Sequence, residues 1–137
     1  MTEAMDIVRR FYEDIWNRGD LEAIPEICQA EMAFRGSLGD TKHGHEEFAD
    51  YVRYVRGALE GYRCHIEDTV SEGNRVFARM LFVGTHAGEF LGYAPTRKTV
   101  KWAGAALFAI ENGRIKELWV LGDVHGLVCQ LSANAEV

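Results

Sequence analysis

The tetrapeptide Glu111-Asn112-Gly113-Arg114 lies between two strand-like runs, "TVKWAGAALFAI" (99–110) and "RIKELWVLGD" (114–123). Asn and Gly accept positive φ at small steric cost, so this pair specifies a two-residue type I′ hairpin. The turn also sets a register. Ile110 faces Ile115, Phe108 faces Glu117, Ala106 faces Trp119, Gly104 faces Leu121 and Trp102 faces Asp123. Side chains alternate with period two, so all of these share one face unless a β-bulge near Gly104 or Gly122 intervenes.

On that face Trp102, Phe108 and Trp119 frame the small residues Gly104 and Ala106, with carboxylates at Glu117 and Asp123. An aromatic wall with a few polar groups suits a small-molecule pocket, and equally a sheet face filled by helix side chains. The other face carries Ala103, Ala105, Leu107 and Ala109 beside Leu118 and Val120. One helix layer cannot cover both faces. A homodimer through the outer face, using Ala103, Ala105, Leu107, Leu118 and Val120, is the expected second cover.

Upstream, apolar residues at Met5, Val8, Phe11, Tyr12, Ile15 and Trp16 recur at three- and four-residue steps, predicting a helix over 2–17. Gly19 stops it and Asp20 caps the next helix, 21–30, with Pro25 in its first turn. A short strand (32–38), a loop (39–44) and a third helix opened by Glu46 and Glu47 and ending near Leu59 follow. "YRCHIEDTV" (62–70) and "RVFARMLFVGTH" (75–86) then read as strands. Helices followed by antiparallel strands define an α+β domain with helices on one face of a sheet. No internal repeat breaks the chain, so residues 1–137 are expected to form a single domain.

The net charge of -6 and scattered basic residues argue against a nucleic-acid groove or a membrane patch. The N-terminus lacks the continuous apolar run of a signal peptide or membrane span. Cys28, Cys64 and Cys129 show no CxxC spacing and read as free thiols in a cytoplasmic protein. No Walker loop, dinucleotide fingerprint, GxSxG or HExxH occurs, and His43 and His45 lack a third metal ligand, so neither cofactor nor metal is expected.

Asp123 sits between apolar residues with no basic neighbour in sequence, and a carboxylate so placed needs a partner or a purpose. His86 ends a strand in "GTHAGEF" (84–90), where flanking glycines can aim it into a cavity mouth. Arg35, inside "AFRGS", is the expected counter-charge for a buried carboxylate or an enolate.

Two runs, "GTHAGEFLGYAPTRKTV" and "ENGRIKELWVLGDVHGLVCQL", together with "RRFYEDIWNRGDLEAIPEI" near the start, resemble the SnoaL-like polyketide cyclase (ester cyclase) group of the nuclear transport factor 2-like superfamily. The family pattern is GTHxGxFxGxxPTG, a strand, DGKIxExW, an acid and LLxQL. Here Arg97 replaces the last glycine of PPTG, and His125 follows the acid. The resemblance implies a cone-shaped α+β barrel, three N-terminal helices on a strongly curved, mostly antiparallel sheet, with a deep apolar cavity and dimerisation through the sheet's outer surface. It also implies intramolecular aldol ring closure without metal or cofactor, with the acid on Asp123, the histidine on His86 and helix-one aromatics on Tyr12 and Trp16.

The expected activity is therefore a cofactor-independent cyclase, or a related lyase or isomerase, acting on an apolar carbonyl compound. Asp123 and His86 are the expected catalytic residues. Tyr12, Trp16, Arg35, Phe90, Trp102 and Trp119 are the expected substrate contacts. Trp102 and Trp119 supply an apolar wall that disfavours the charged carboxylate. A hydrolase or dehydratase using the same cavity, and a non-catalytic binder with a filled interior, are the alternatives.

Overall fold

The computed structural model describes residues 3–132. Helix α1 (Glu3–Arg10) runs directly into a π-helical segment, Phe11–Asn17. A 3₁₀ turn (Leu21–Ala23) leads to α2 (Ile24–Ile27), then β1 (Cys28–Arg35), β2 (Thr41–His43) and α3 (Gly44–Ala58). Strands β3 (Leu59–Glu72), β4 (Arg75–His86), β5 (Thr99–Glu111) and β6 (Arg114–Gly122) follow, and α4 (Val124–Ser132) ends the described chain. The six strands form one open, mixed sheet in the order β2-β1-β6-β5-β4-β3, antiparallel except where β1 meets β6. Helices pack on its concave side, giving the cone-shaped α+β architecture.

The local signals act as expected at several joints. Gly19 stops the first helix at φ 75, and the Asp20 carboxylate accepts from the Glu22 amide at 3.1 Å. Pro25 falls in the first turn of α2. The expected single helix over 2–17 changes pitch at Phe11 because its buried residues come as adjacent pairs, Phe11-Tyr12 and Ile15-Trp16. A wider turn keeps both members of each pair facing inward. The second helix is shorter than 21–30, since Cys28 already pairs with Ile115 in the sheet. For the same reason the first strand begins at Cys28 and not at 32, and part of the expected loop becomes β2.

Helix one is stapled to its neighbours by side chains. Asn17 donates to the Cys64 carbonyl at 3.3 Å and accepts from its amide at 2.7 Å, filling a gap at the free edge of β3. Arg56 of α3 donates to the Trp16 carbonyl at 2.6 Å, at the end of the π-helical segment. Orphan carbonyls at a helix end are thereby satisfied from another element.

The hairpin turn forms with Asn112 at φ 54 and Gly113 at φ 77, both positive as type I′ requires. Ile110 faces Ile115 as expected, but the next pair is Ala109 with Glu117. Lys116 is thus an extra residue, a β-bulge two residues from the turn. Beyond it every partner shifts by one: Leu118 faces Phe108, Val120 faces Ala106 and Gly122 faces Gly104. The physical cause is burial. Ile115 and Leu118 are both within the core, and strict alternation between them would have sent Glu117 inside. Bulging out Lys116 leaves both charged residues in water, where Lys116 pairs with Glu111 at 3.0 Å.

The shift exchanges two faces. Trp119, expected on the cavity wall, lies on the outer face and is 45% exposed, beside Leu121 at 51%. Leu118 and Val120, expected on the outer face, are in the core. Ala103, Ala105 and Leu107 do lie outward, now accompanied by Trp119 and Leu121.

Candidate functional site

β5 turns Trp102, Ala106 and Phe108 into the cone, and β4 adds Phe82 and His86. Gly104 permits this packing, because a Cβ there would collide with the ring of Phe82. The π-helical segment contributes Phe11, Tyr12 and Trp16 from the opposite side. Trp16 meets Phe48, Tyr51 and Tyr62 edge to face, with centroids 6.0, 5.9 and 5.5 Å away. Trp102 packs on Phe82 at 5.4 Å and faces Phe90 at 6.5 Å. These rings fill most of the space between helices and sheet. The remaining interior cavity, bordered by Tyr12, Trp16, Ser37, Tyr51, Tyr62 and Val120 among others, has a volume of about 20 Å³. That is room for one water. The deep apolar cavity expected from the resemblance is reduced to this small space by the protein's own aromatics.

Three buried polar atoms have no hydrogen-bond partner among the described residues, Tyr12 Oη, Trp102 Nε1 and His86 Nε2, and of these residues Tyr12 borders the cavity. An unpartnered buried polar group costs about 1–3 kcal/mol, so each of these atoms calls for a partner, either an ordered water or a bound molecule. Trp102 Nε1 lies over Gly122, where an added Cβ would come within 3.2 Å of it and within 2.8 Å of Ser37 Cβ. Burial pushes the Tyr12 and Tyr62 hydroxyls well above their ordinary 10.0, and the Cys64 thiol beside them up to about 12. Tyr51 is raised for the same reason, although its hydroxyl has partners in Ser37 and the Leu38 backbone. At neutral pH these groups are protonated and serve as donors. Among the described residues the buried polar ones are Ser37 and His86, and no charged side chain is buried with them.

Asp123 lies outside this interior, between β6 and α4. It is exposed, and its carboxylate accepts from the Gly126 amide at 2.9 Å, capping α4. Its own amide donates to Ala103 at 3.0 Å, so Ala103 and not Trp102 is its neighbour across the hairpin. The expectation of a carboxylate enclosed by Trp102 and Trp119 is therefore corrected: the free N–H groups at the start of α4 answer it. The signal was present in sequence, since an acid immediately before apolar residues at helical spacing (Val124, Leu127, Val128, Leu131) is an N-cap pattern.

Arg35 is also displaced from its expected place. It lies against the outer face, its guanidinium 5.7 Å from the Trp119 ring centre and donating to the Val120 carbonyl. The structure thus brings Tyr12 and Trp16 to the interior cavity and buries Trp102, Phe90 and His86 along the sheet. It leaves Asp123 between β6 and α4 and puts Arg35 and Trp119 outside. Tyr51, Tyr62, Phe82 and Ser37 complete the interior without having been singled out. The inward direction of Tyr51 follows from the helical spacing of Phe48, Tyr51, Val52 and Val55, and that of Phe82 from the alternation of β4, whereas that of Ser37 depends on the loop after β1.

A second concavity, an open groove of about 700 Å³, runs between helix one and β3 and is lined by Arg9, Glu13, Arg18, Arg63 and His65 among others. Tyr12 and Cys64 border both the groove and the interior cavity. Among the described residues, no group of three or more His, Cys, Asp and Glu could hold a metal ion. No helix among them is long and apolar enough to cross a membrane.

Comparison with known proteins places this geometry in a family. The SnoaL-like polyketide cyclase family matches residues 6–131, and the chain belongs to it. Aklanonic acid methyl ester cyclase AcmA of Streptomyces galilaeus is 29% identical over 133 residues, covering 96% of this chain and 92% of the relative. Among solved structures, a SnoaL-like protein of Jannaschia sp. CCS1 superposes with a TM-score of 0.87 at 19% identity, covering 96% and 92% of the two chains. TsrD from Streptomyces laurentii superposes at 0.85 with 24% identity, covering 96% of each. The fold is shared throughout.

The family pattern also gives meaning to a strained residue. Arg97, at the position of a glycine in the pattern the sequence resembles, adopts φ 65. An L-residue in this left-handed region costs about 1–2 kcal/mol, which glycine avoids. The Arg97 amide donates to the His86 carbonyl at 2.9 Å, so the strained turn lies against the buried histidine.

Proposed function

We propose that this protein is a cofactor-independent ring-closing cyclase acting on an apolar carbonyl compound. The carrying observation is the set of buried, unpartnered polar atoms of Tyr12, Trp102 and His86. Membership of a polyketide cyclase family supports a cyclase-type activity. The interior offers hydrogen-bond donors and no buried charge, which suits oxygen acceptors on a substrate. The base must then come from outside the core, and the exposed Asp123 just after β6 is the acid the family resemblance points to.

In the proposed reaction the Asp123 carboxylate takes a proton α to a carbonyl. The enolate carbon bonds to the accepting carbonyl carbon, and the resulting alkoxide takes the proton back from Asp123. Interior donors stabilise the oxygen that carries negative charge. A bound apolar substrate would strip water from the carboxylate, which strengthens any such base. The rings that fill the interior must move aside for substrate, and Tyr12 and Cys64, which border both the cavity and the outer groove, offer a route between them. The reading also includes a cytoplasmic homodimer whose interface is the outer apolar face of Ala103, Ala105, Leu107, Trp119 and Leu121; light scattering at micromolar concentration that shows a monomer removes that element.

The closed interior favours one rival, a non-catalytic binding or scaffold protein. Incubation with aklanonic acid methyl ester, the compound in the name of the relative AcmA, separates the two. A ring-closed isomer of unchanged mass is the expected product. Unaltered substrate, with no change in the thermal unfolding curve on addition, sinks the reading for this substrate class. Running the reaction in ¹⁸O water distinguishes hydrolysis, which alone puts label into a new hydroxyl.

A further inference from the structure

His86 is wholly buried, and its surroundings decide which of its two nitrogens can donate. The Thr96 backbone N–H points at His86 Nδ1 from 3.1 Å. An amide nitrogen can only donate, so Nδ1 must be the acceptor and carries no proton. The Thr96 hydroxyl is also 3.1 Å from Nδ1. That hydroxyl already accepts from the Lys98 amide at 3.2 Å, which leaves its own hydrogen available for the ring. The main chain reinforces the arrangement: His86 donates to the Lys98 carbonyl and accepts from the Arg97 amide, each at 2.9 Å. The imidazole proton consequently belongs on Nε2, the nitrogen that has no partner among the described residues.

We propose that Thr96 is a positioning residue that holds His86 in the Nε2–H tautomer, making it an obligate hydrogen-bond donor to a substrate oxygen and not a proton-abstracting base. The inference rests on the cyclase reading for the identity of the oxygen, a carbonyl that becomes an enolate or alkoxide. The tautomer itself does not depend on that reading. The turn 96–98 grips the ring and the backbone of His86 together, so the donor points in one direction before any substrate arrives. Preorganised donors of this kind stabilise developing negative charge without reorganisation in the transition state. The division of labour is then complete: Asp123 moves the proton, and His86 moves none.

The test is spectroscopic and needs no substrate. Protein labelled with ¹⁵N in histidine reports tautomers through long-range ring couplings at neutral pH. Wild-type His86 is expected to show the Nε2–H pattern alone. Thr96→Val removes the hydroxyl bond to Nδ1 and the one that accepts from the Lys98 amide but keeps the backbone donor, so a second form, either Nδ1–H or imidazolium, should appear as a measurable minor population. Thr96→Ser should restore the single pattern. A wild-type His86 found as the Nδ1–H tautomer or as imidazolium overturns the proposal even if Thr96→Val fails to fold. A folded Thr96→Val protein with an unchanged pattern overturns the role of the Thr96 side chain. Loss of cyclisation in the product assay, with the wild-type pattern intact, would instead strike the cyclase reading and leave the tautomer standing.

Discussion

The two sides of the β5–β6 hairpin live under different rules. Facing inward, Trp102, Ala106, Phe108, Leu118 and Val120 are packed without water, and a polar atom with no partner is conspicuous. Facing outward or just after β6, Trp119, Leu121 and Asp123 lie in contact with solvent, where a carboxylate costs little and can still cap a helix. Under the proposed reaction the same hairpin would separate binding from proton transfer, with the donors inside and the base at the edge. Substitutions on the two sides should differ in kind as well as in size.

The largest expected effect is on turnover, from Asp123→Asn. Asparagine caps a helix about as well as aspartate, so the thermal midpoint should stay unchanged while the general base is lost. Turnover of a substrate identified by product analysis should fall about 10²–10⁴-fold, and full activity would remove Asp123 from the mechanism. Asp123→Ala should additionally lose about 1 kcal/mol of stability in urea titration, because it removes the cap.

On the inner side, Phe108→Ala should cost about 3–5 kcal/mol of unfolding free energy in urea titration. It is fully buried against Phe11 and Tyr12, with centroids 5.6 and 5.8 Å away. Trp119→Ala, on the outer side of the neighbouring strand, should change monomer stability by no more than about 0.5 kcal/mol. Equal losses at the two sites would break the distinction between the faces.

Alkaline pH probes the interior without a mutation. Burial raises the Cys28 and Cys64 thiols from 9.0 to about 12. Below pH 9 both folded and unfolded chains keep these protons, and the two groups add no pH dependence. Between pH 9 and 12 the unfolded chain releases them while the folded chain does not, so stability should fall as pH rises. The slope is about 1.4 kcal/mol per pH unit for each thiol. Urea midpoints across pH 8 to 11 test this; Cys28→Ala should reduce the slope, and a flat profile would contradict the burial. The smallest effect concerns the turn against His86. Arg97→Gly should stabilise the fold by about 1 kcal/mol through relief of a left-handed residue, read as a higher urea midpoint.

Much of the architecture was legible in the chain because its signals are local. Asn112-Gly113, Gly19-Asp20 and Pro25 each act through backbone preferences that need no distant partner. The long strands followed from alternation, and β4 forms over 75–86 as expected. The bulge at Lys116 was not foreseen, although its signal lies in the adjacent charged pair Lys116-Glu117 between Ile115 and Leu118. A hairpin register extended by arithmetic assumes uniform pairing. Where that would bury a carboxylate, inserting one unpaired residue is the cheaper course. From that one residue follow the outward turn of Trp119 and the inward turn of Leu118 and Val120, and with them the changed composition of both faces.

The candidate site divides in the same way. Tyr12, Trp16, Trp102 and His86 could be singled out from periodicity, strand position and family pattern. Their burial, and the lack of partners for Tyr12, Trp102 and His86, depend on rings contributed by helix one, α3 and the sheet. By itself, then, the sequence determined the turn chemistry, the three N-terminal helices and the long strands, the family and the kinds of side chain at the site. Only the tertiary structure decided that Asp123 is an exposed cap, that Arg35 stacks on Trp119 outside, and that Thr96 assigns the proton of His86. The reason is that each of these outcomes is a competition for burial or for a hydrogen-bond partner between groups far apart in the chain, and such a competition has no outcome until the chain is folded.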